Sequence, residues 1–369
     1  MRFGVVANVV LLSTALLADA AEKSWESQYV VLTRAGVELQ APEGERVAPR
    51  TAGVAKDLTF DVKKDKDGRL LIRSRRQQGW IAKSDAVLFD DAVSYFTEQL
   101  RKNAKDSHAL TARGIVLASK NQPDKAVADF IEAIRLNPKA TVAYYHRANI
   151  AYGSKQYDKA LDDYNAVIRL DPEFDWAYHV RGWIYYRKKD YDKALTDYET
   201  AIRLVPTETV FYRDRGNIAF ARKQYDQALA DYSKSIELDP KYAVPYLQRG
   251  RAWTAMKDYA KALDDFENAA RLESKYSIFH TNLAMFRAGC PDAKFRDGKK
   301  ALDAAKKAYE LAKGPDEMAA LAAAHAELGE FDRAVEWQKK AADAAPPEDK
   351  ARHGDRLKLY ENRQPYRQE

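Results

Sequence analysis

The chain has 369 residues, of which 46% are hydrophobic and 31% are charged. That balance is typical of a folded globular protein, but the length exceeds the roughly 100–200 residues of one domain and so excludes a single compact core. The 61 Lys and Arg residues only slightly outnumber the 55 Asp and Glu residues, which leaves a net charge of +6. With so small an excess we expect no nucleic-acid partner.

The first twenty residues predict export from the cell. Arg2 precedes an apolar run over residues 5–18, and the sequence Ala-Asp-Ala at 18–20 has the small-x-small form that signal peptidases cleave. An uncleaved anchor is the alternative, but a run of about fourteen residues is shorter than the ~20 that span a bilayer. We expect residues 1–20 to be a signal peptide, and the mature protein to be periplasmic or extracellular with no stable membrane span.

Short strand-like segments follow, over residues 25–90. Asp67-Gly68 lies between Asp61-Val62 and Leu70-Leu71-Ile72, and an Asp-Gly pair between strand-like residues is a strong hairpin signal. The segment ends with Gly79-Trp80-Ile81, which resembles the last strands of bacterial SH3-like domains. The resemblance implies a small all-β barrel over 25–90.

Most of the excess positive charge lies in this predicted barrel, where Arg73, Arg75 and Arg76 form a basic patch. On an exposed surface the patch would attract carboxylates or an anionic cell-wall polymer. The alternative is a charged edge strand that prevents self-association. Bacterial SH3-like domains often bind cell-wall peptides, so the resemblance also implies cell-wall polymer as a partner.

A 34-residue period dominates the remaining sequence. Small residues recur at Gly114, Ala148, Gly182, Gly216 and Gly250. Each is followed twelve positions later by alanine and four positions after that by Phe or Tyr, a pattern of two-helix units that bury their apolar faces by stacking. The spacing resembles the tetratricopeptide repeat family. That resemblance implies a mainly α fold, a right-handed α-solenoid of helix hairpins placed after the SH3-like barrel.

The spacing sets the predicted boundaries of the solenoid, which covers residues 91–350 after a half-unit at 91–106. The next unit after residue 276 has its second helix five residues late, so we expect an inserted loop there. A C-terminal capping helix and tail are predicted over 351–369. The predicted full repeats are 107–140, 141–174, 175–208, 209–242, 243–276, 277–314 and 315–348.

In the tetratricopeptide family, positions 2, 5, 9 and 12 of the first helix line a concave groove that holds a protein or peptide partner. Carried over to this chain, the resemblance predicts a mostly aromatic groove with a few polar anchors. Tyr, Trp and Arg are the residue types that dominate binding hot spots. The alternative is that the aromatic rings only pack between neighbouring helices. The predicted partner-binding residues are Tyr145, Asn149, Tyr152, Trp176, His179, Trp183, Tyr186, Arg213, Asn217, Phe220 and Arg251.

Catalytic signatures are missing from the sequence. It has no phosphate-binding glycine loop, zinc helix or nucleophile elbow, and its six histidines are scattered. Cys290 is the only cysteine, and we interpret it as structural. Asp162-Asp163 and Asp264-Asp265 recur at one repeat position, which we interpret as a solvated helix face. We expect no enzyme activity, no cofactor and no metal site.

Together these features predict an exported, non-catalytic adaptor that holds a peptide or a partner helix in the repeat groove. The alternative is a cell-envelope or peptidoglycan-binding protein that acts through the basic SH3-like domain and uses the solenoid as a spacer.

Overall fold

The computed structural model describes residues 25, 27–34, 37–40, 59–73 and 78–368. The predicted signal peptide, Arg75 and Arg76 lie outside these residues. The chain divides into two compact units, Met1–Ala177 and Tyr178–Glu369. The fold is mainly helical, with sixteen helices in the described residues arranged as in a tetratricopeptide solenoid, and a small antiparallel sheet precedes them.

The sheet has five strands in the order β4-β3-β2-β1-β5. A short 3-10 turn, Lys83–Asp85, precedes the last strand. Val30, Phe60 and Ile72 are almost fully buried and form part of a hydrophobic core on the sheet. The strands are β1 (Tyr29–Leu32), β2 (Thr59–Lys66), β3 (Arg69–Arg73), β4 (Gln78–Ala82) and β5 (Ala86–Leu88).

The predicted Asp-Gly hairpin is confirmed. Strands β2 and β3 pair antiparallel, and Lys66 opposes Arg69 at the turn. Asp67 and Gly68 both have positive φ, 53° and 71°, as the two central residues of a type I′ turn require. Because β3 pairs with β4 on its other side, Arg73 belongs to an inner strand. The interpretation of the basic patch as an edge strand is therefore wrong for Arg73, while Arg75 and Arg76 lie outside the described residues.

Helices occupy most of the chain after residue 91. They follow one another in pairs, and we call the first helix of each predicted repeat helix A, the second helix B, and number the repeats 1 to 7 from residue 107. In chain order the helices are Ala92–Lys102, Ser107–Ser119, Pro123–Leu136, Thr141–Gly153, Tyr157–Leu170, Asp175–Arg187, Tyr191–Leu204, Thr209–Ala221, Tyr225–Leu238, Ala243–Ala255, Tyr259–Leu272, Ser277–Gly289, Gly298–Leu311, Pro315–Glu327, Phe331–Ala344 and Lys350–Glu361.

Helices A and B of one repeat cross where the small residue of helix A meets the aromatic ring of helix B. A Cβ atom added at Gly216 would lie 2.7 Å from the ring of Tyr232, and one at Gly114 would lie 2.7 Å from the ring of Phe130. A Cβ atom at these two positions would fit only if the ring moved. Glycine therefore allows the close approach in repeats 1 and 4 although it costs about 1 kcal/mol of helix propensity relative to alanine, whereas repeat 2 carries Ala148 at the same position.

A bidentate ion pair joins helices A and B in each of the first five repeats. An arginine directly before the small residue binds both carboxylate oxygens of an aspartate directly before the aromatic, with N–O distances of 2.6–2.9 Å. Asp163 and Asp265 are buried members of these pairs, so the solvated-face interpretation is wrong for them. The pairs are Arg113–Asp129, Arg147–Asp163, Arg181–Asp197, Arg215–Asp231 and Arg249–Asp265.

Because the pairs are buried, removing one partner costs more stability than replacing both partners. Burial raises the pKa of Asp265 in spite of the opposing effect of the Arg249 guanidinium. Removing one partner of a buried pair typically costs 3–5 kcal/mol, whereas replacing both by apolar groups is often neutral.

We predict that Arg249→Met lowers the free energy of unfolding by about 3 kcal/mol, because it leaves the Asp265 carboxylate buried without its cation. The double variant Arg249→Met with Asp265→Leu should recover most of that loss. Arg271→Met, at an exposed position on helix B of the same repeat, is the matched control and should change stability by less than ~0.5 kcal/mol. Urea unfolding followed by circular dichroism measures all three, and equal losses for the single and double variants would contradict the prediction.

Candidate functional site

Seven of the predicted partner-binding residues lie in the second compact unit, on the A helices of repeats 3, 4 and 5. Positions 2, 5, 9 and 12 are three or four residues apart, which places their side chains on one face of a helix. We call this set of side chains the helix-A face. It comprises His179, Trp183, Tyr186, Arg213, Asn217, Phe220 and Arg251.

A buried carboxylate, Asp214, organises the polar part of the helix-A face. His179 lies 2.8 Å away through Nε2, and Arg213 donates to both carboxylate oxygens at 2.7 Å. The Asn217 amide donates to Oδ1 at 3.2 Å. Burial on its own would raise the pKa of Asp214, but the hydrogen bond from His179 and the charge of Arg213 outweigh it and hold the pKa below its usual range. The carboxylate is therefore ionised, and its Oδ2 accepts a hydrogen bond from the Nε2–H group of His179.

Two tyrosine hydroxyls extend this network. The Tyr232 hydroxyl donates to Asn217 Oδ1 at 2.9 Å, and Arg213 also hydrogen-bonds the Tyr242 hydroxyl. The polar groups of Arg213 and Asn217 are thus bound to other parts of the chain. Their first effect is to fix the helix-A face, and a substitution of Arg213 would also disturb the buried Asp214.

The aromatic residues of the face keep part of their rings accessible. Trp183, Tyr186 and Phe220 are half-buried. Tyr186 and Phe220 each contact the tyrosine that begins helix B of the same repeat, with ring centroids 5.8 and 5.6 Å apart. The Arg187 guanidinium lies 5.2 Å from the Trp183 ring centre. The three rings are thus positioned by neighbouring side chains and remain partly accessible, as binding hot spots require.

Arg251 is the one residue of the helix-A face whose side chain is exposed. Its guanidinium donates to Asn282 Oδ1 at 3.0 Å and approaches Gln248 Oε1 at 3.5 Å. Both partners are neutral amides, so the positive charge is oriented but not neutralised by them. Ile278, one helical turn before Asn282, is 43% exposed. This end of the face can bind an acidic group beside an apolar one.

The other four predicted groove residues lie in the first unit. Tyr145 packs closely inside it, with its ring centroid 4.8 Å from that of Phe174 and 6.1 Å from that of Tyr164. Asn149 accepts a hydrogen bond of 2.5 Å from the Tyr164 hydroxyl. Tyr152 and Trp176 are half-buried. Tyr145 and Asn149 therefore support the fold of repeat 2 through contacts of their own.

Sequence profiles of the tetratricopeptide repeat match residues 107–139, 141–174, 176–208, 210–242 and 318–348. These segments are tetratricopeptide repeats. No curated protein sequence matches the chain.

Solved structures of tetratricopeptide proteins share the fold. Yeast Tom70 is 22% identical with a TM-score of 0.52, and the match covers 74% of this chain and 59% of Tom70. Cut9, in its hetero-tetramer with Hcn1 from the APC/C, is 16% identical with a TM-score of 0.54, and the match covers 64% and 46% of the two chains. The chain thus spans less than two thirds of either protein, and identities this low show the fold alone.

Several other predicted features have a place in the structure. Cys290 is fully buried beside Phe286, and burial raises the pKa of its thiol. Arg73 is exposed on the sheet.

Among the described residues there is no group of three or more His, Cys, Asp or Glu side chains that could hold a metal ion. Within that same part of the chain, no helix has both the length and the apolar character to cross a membrane.

His146, next to Tyr145 in repeat 2, should make the free energy of unfolding depend strongly on pH. Its ring stacks on Phe130 with a centroid distance of 6.1 Å and meets Tyr145 edge-on at 5.3 Å. Burial between these rings lowers the pKa of His146 from 6.5 to about 4. Below pH 6.5 the unfolded chain therefore binds a proton that the folded chain does not bind.

We predict that proton uptake by His146 in the unfolded chain lowers the free energy of unfolding as the pH falls from 6.5 towards 4, by about 1.4 kcal/mol per pH unit. Above neutrality His146 should not make the free energy of unfolding depend on pH. His146→Phe keeps the stacked ring and should make the pH dependence shallower in this range. Urea unfolding at pH 7.5 and pH 5 measures both chains. The control is His280→Phe, at a half-buried histidine in repeat 6 whose ring contacts the Ser274 carbonyl. Identical pH slopes for the unmodified chain and His146→Phe would show that the prediction is wrong.

Proposed function

We propose that this tetratricopeptide chain is an exported, non-catalytic adaptor whose helix-A face binds an extended peptide or a partner helix. Tetratricopeptide proteins bind protein or peptide partners. The observation that carries the proposal is the pairing of half-buried rings at Trp183, Tyr186 and Phe220 with an exposed, oriented guanidinium at Arg251. A peptide needs such rigid apolar contacts together with one charged anchor.

The buried network around Asp214 supports binding by fixing the face in advance. His179, Arg213 and Asn217 converge on one carboxylate, so neighbouring A helices of repeats 3 and 4 are joined by hydrogen bonds. A face that is ordered before binding loses less conformational entropy when a ligand arrives. The ligand that fits carries an acidic side chain or a carboxylate for Arg251 and apolar side chains for the rings.

The first test is selection of a displayed random peptide library on the mature chain, followed by affinity measurements of an enriched peptide. We predict that Trp183→Ala and Arg251→Glu each weaken that peptide at least tenfold, because each removes a central anchor worth more than about 1.4 kcal/mol. Fluorescence anisotropy measures the dissociation constants, and circular dichroism verifies the helical content of each variant.

Arg203→Glu is the matched control, since it makes the same charge change at an exposed position on helix B of repeat 3. The peptide should bind this variant as tightly as the unmodified chain. An enriched peptide that binds all three variants equally would refute the assignment of the helix-A face.

A second candidate function is binding of an anionic cell-wall polymer by the sheet, which we propose to be an SH3-like domain. The strand order, with β5 beside β1 and a 3-10 turn before β5, supports the SH3-like assignment. The favouring observation is a cleft of about 520 Å³ on the sheet. Trp80 lines it with Arg69, whose guanidinium lies 5.6 Å from the indole ring centre and 2.6 Å from Gln40 Oε1. A ring flanked by planar polar groups suits a sugar or peptide ligand.

For this candidate we predict that the full mature chain co-sediments with purified cell wall and that Arg69→Ala reduces the bound fraction severalfold, because Arg69 is the exposed cation beside Trp80. Lys64→Ala, an exposed charge removal on β2 outside the cleft, should leave it unchanged. Sedimentation that Arg69→Ala does not alter would contradict this candidate function and would leave the helix-A face test untouched.

A further inference from the structure

The C-terminal segment of the chain returns to repeats 6 and 7 in the second unit. The capping helix Lys350–Glu361 is followed by a turn at Arg363, whose φ is 55°, and residues 364–368 then run without regular secondary structure. Gln368 N–H donates to the carbonyl of Gly289 at 2.8 Å, and Arg367 donates to the carbonyl of Ala288 at 3.1 Å. Ala288 and Gly289 are the last two residues of helix A in repeat 6, so no N–H group of that helix binds their carbonyl oxygens.

Two side chains give this contact a specific chemistry. The Tyr366 ring packs against Gly289, where a Cβ atom would be 3.0 Å from two ring carbons. Arg367 forms an ion pair of 2.8 Å with Glu327 at the end of helix A in repeat 7. The chain thus uses an aromatic residue followed by arginine, in an extended segment, as a ligand for its own repeats.

The acceptor is held in place by contacts that do not involve the segment. Glu327 receives a hydrogen bond of 3.0 Å from Arg296 Nε on its other carboxylate oxygen. The second end of that guanidinium donates to the carbonyls of Cys290 and Pro291. Arg296 therefore ties Glu327 to the residues that follow the repeat 6 A helix without any contribution from the segment.

The segment is attached by contacts that leave it partly accessible. Tyr366 packs on the core that contains Tyr360, and the Arg356 guanidinium lies 4.4 Å from its ring centre. Arg367 retains 34% of its side-chain exposure, and Tyr366 and Gln368 are half-buried. A short segment tethered to its acceptor has an effective concentration in the millimolar range, which keeps it bound without a strong intrinsic affinity. An external segment of the same chemistry then competes with it.

We propose that this acceptor, formed by Ala288, Gly289 and Glu327, is a second peptide-binding site, separate from the helix-A face, which the chain's own Tyr366–Gln368 segment occupies. Its external ligand is an extended segment of another protein in which an aromatic residue is followed directly by arginine. The ring binds on Gly289, the guanidinium binds Glu327, and one backbone N–H of the ligand binds the helix-end carbonyl. This site does not depend on the function proposed above.

The test uses a fluorescent peptide of residues 362–368, Asn-Arg-Gln-Pro-Tyr-Arg-Gln with an amidated end, and the full chain. The unmodified chain should bind it at least tenfold more weakly than an opened chain carrying Tyr366→Ala and Arg367→Ala, because the opened chain has lost its competitor. Adding Gly289→Ala to the opened chain should weaken binding at least fivefold, since the ring would have to move away from the new methyl group. Adding Glu327→Gln should weaken binding at least fivefold and keep the shape of the site. A peptide with alanine in place of its arginine should bind poorly.

Three results would overturn the proposal. The first is a folded opened chain, verified by circular dichroism, that does not bind the peptide. The second is equal binding by the unmodified and opened chains, which would place the peptide elsewhere. The third is a loss of helical signal on opening, which would make residues 366–368 an integral part of repeats 6 and 7. Light scattering of the unmodified chain separates one further outcome: a dimer that disappears in the opened chain would make a second copy the partner and would refute an external ligand.

Discussion

The bidentate ion pair between helices A and B determines how each of the first five hairpins presents its surface. Its arginine occupies position 7 of the repeat, as in Arg147 and Arg215, and its aspartate lies sixteen residues later. A helix turns by roughly 100° per residue, so positions 2, 5, 9 and 12 lie about 140–160° around the helix axis from that arginine. Fixing the arginine against helix B therefore directs the candidate binding residues of helix A away from the pair. The glycine–aromatic contact one residue further on sets the distance between the two helices.

The hairpins could be predicted from the sequence because both contacts within them obey a local rule. The small residue and the aromatic ring recur at fixed separations, and so do the arginine and aspartate, although we interpreted the aspartates as solvated. The turn between helices A and B keeps its left-handed residue at one repeat position, but the residue type there does not predict that conformation. Its left-handed residue is Gly329 in repeat 7 but lysine at Lys155, Lys189, Lys223 and Lys257, all with φ near 60°. Packing on both sides of the turn imposes this conformation on a residue type that does not favour it.

For the candidate site, the sequence pattern predicted the placement of the aromatic residues on one helix face but not the contacts of the polar residues, and binding by either stays a prediction. Position within the repeat was enough to select Trp183, Tyr186 and Phe220. The role of Arg213 depends on Asp214, its neighbour in sequence, and on His179, which is thirty-five residues from Asp214 and in another repeat. No spacing in the sequence reveals that these three groups meet, because the contact depends on how one hairpin stacks on the next. The same holds for the C-terminal segment, which reaches its acceptor across almost eighty residues.

Repeats 6 and 7 differ from the first five repeats because they do not carry the bidentate ion pair. Leu283 and Leu321 stand at position 7 of repeats 6 and 7, where the earlier repeats carry arginine. Their hairpins are built on alanine-rich helix contacts instead, for example those of Ala305, Ala320 and Ala324. Small side chains bring helices close but supply no polar bond between them. The ends of these A helices consequently gain their polar contacts from Arg296 and from the C-terminal segment, which places a second recognition surface where the regular repeat pattern stops.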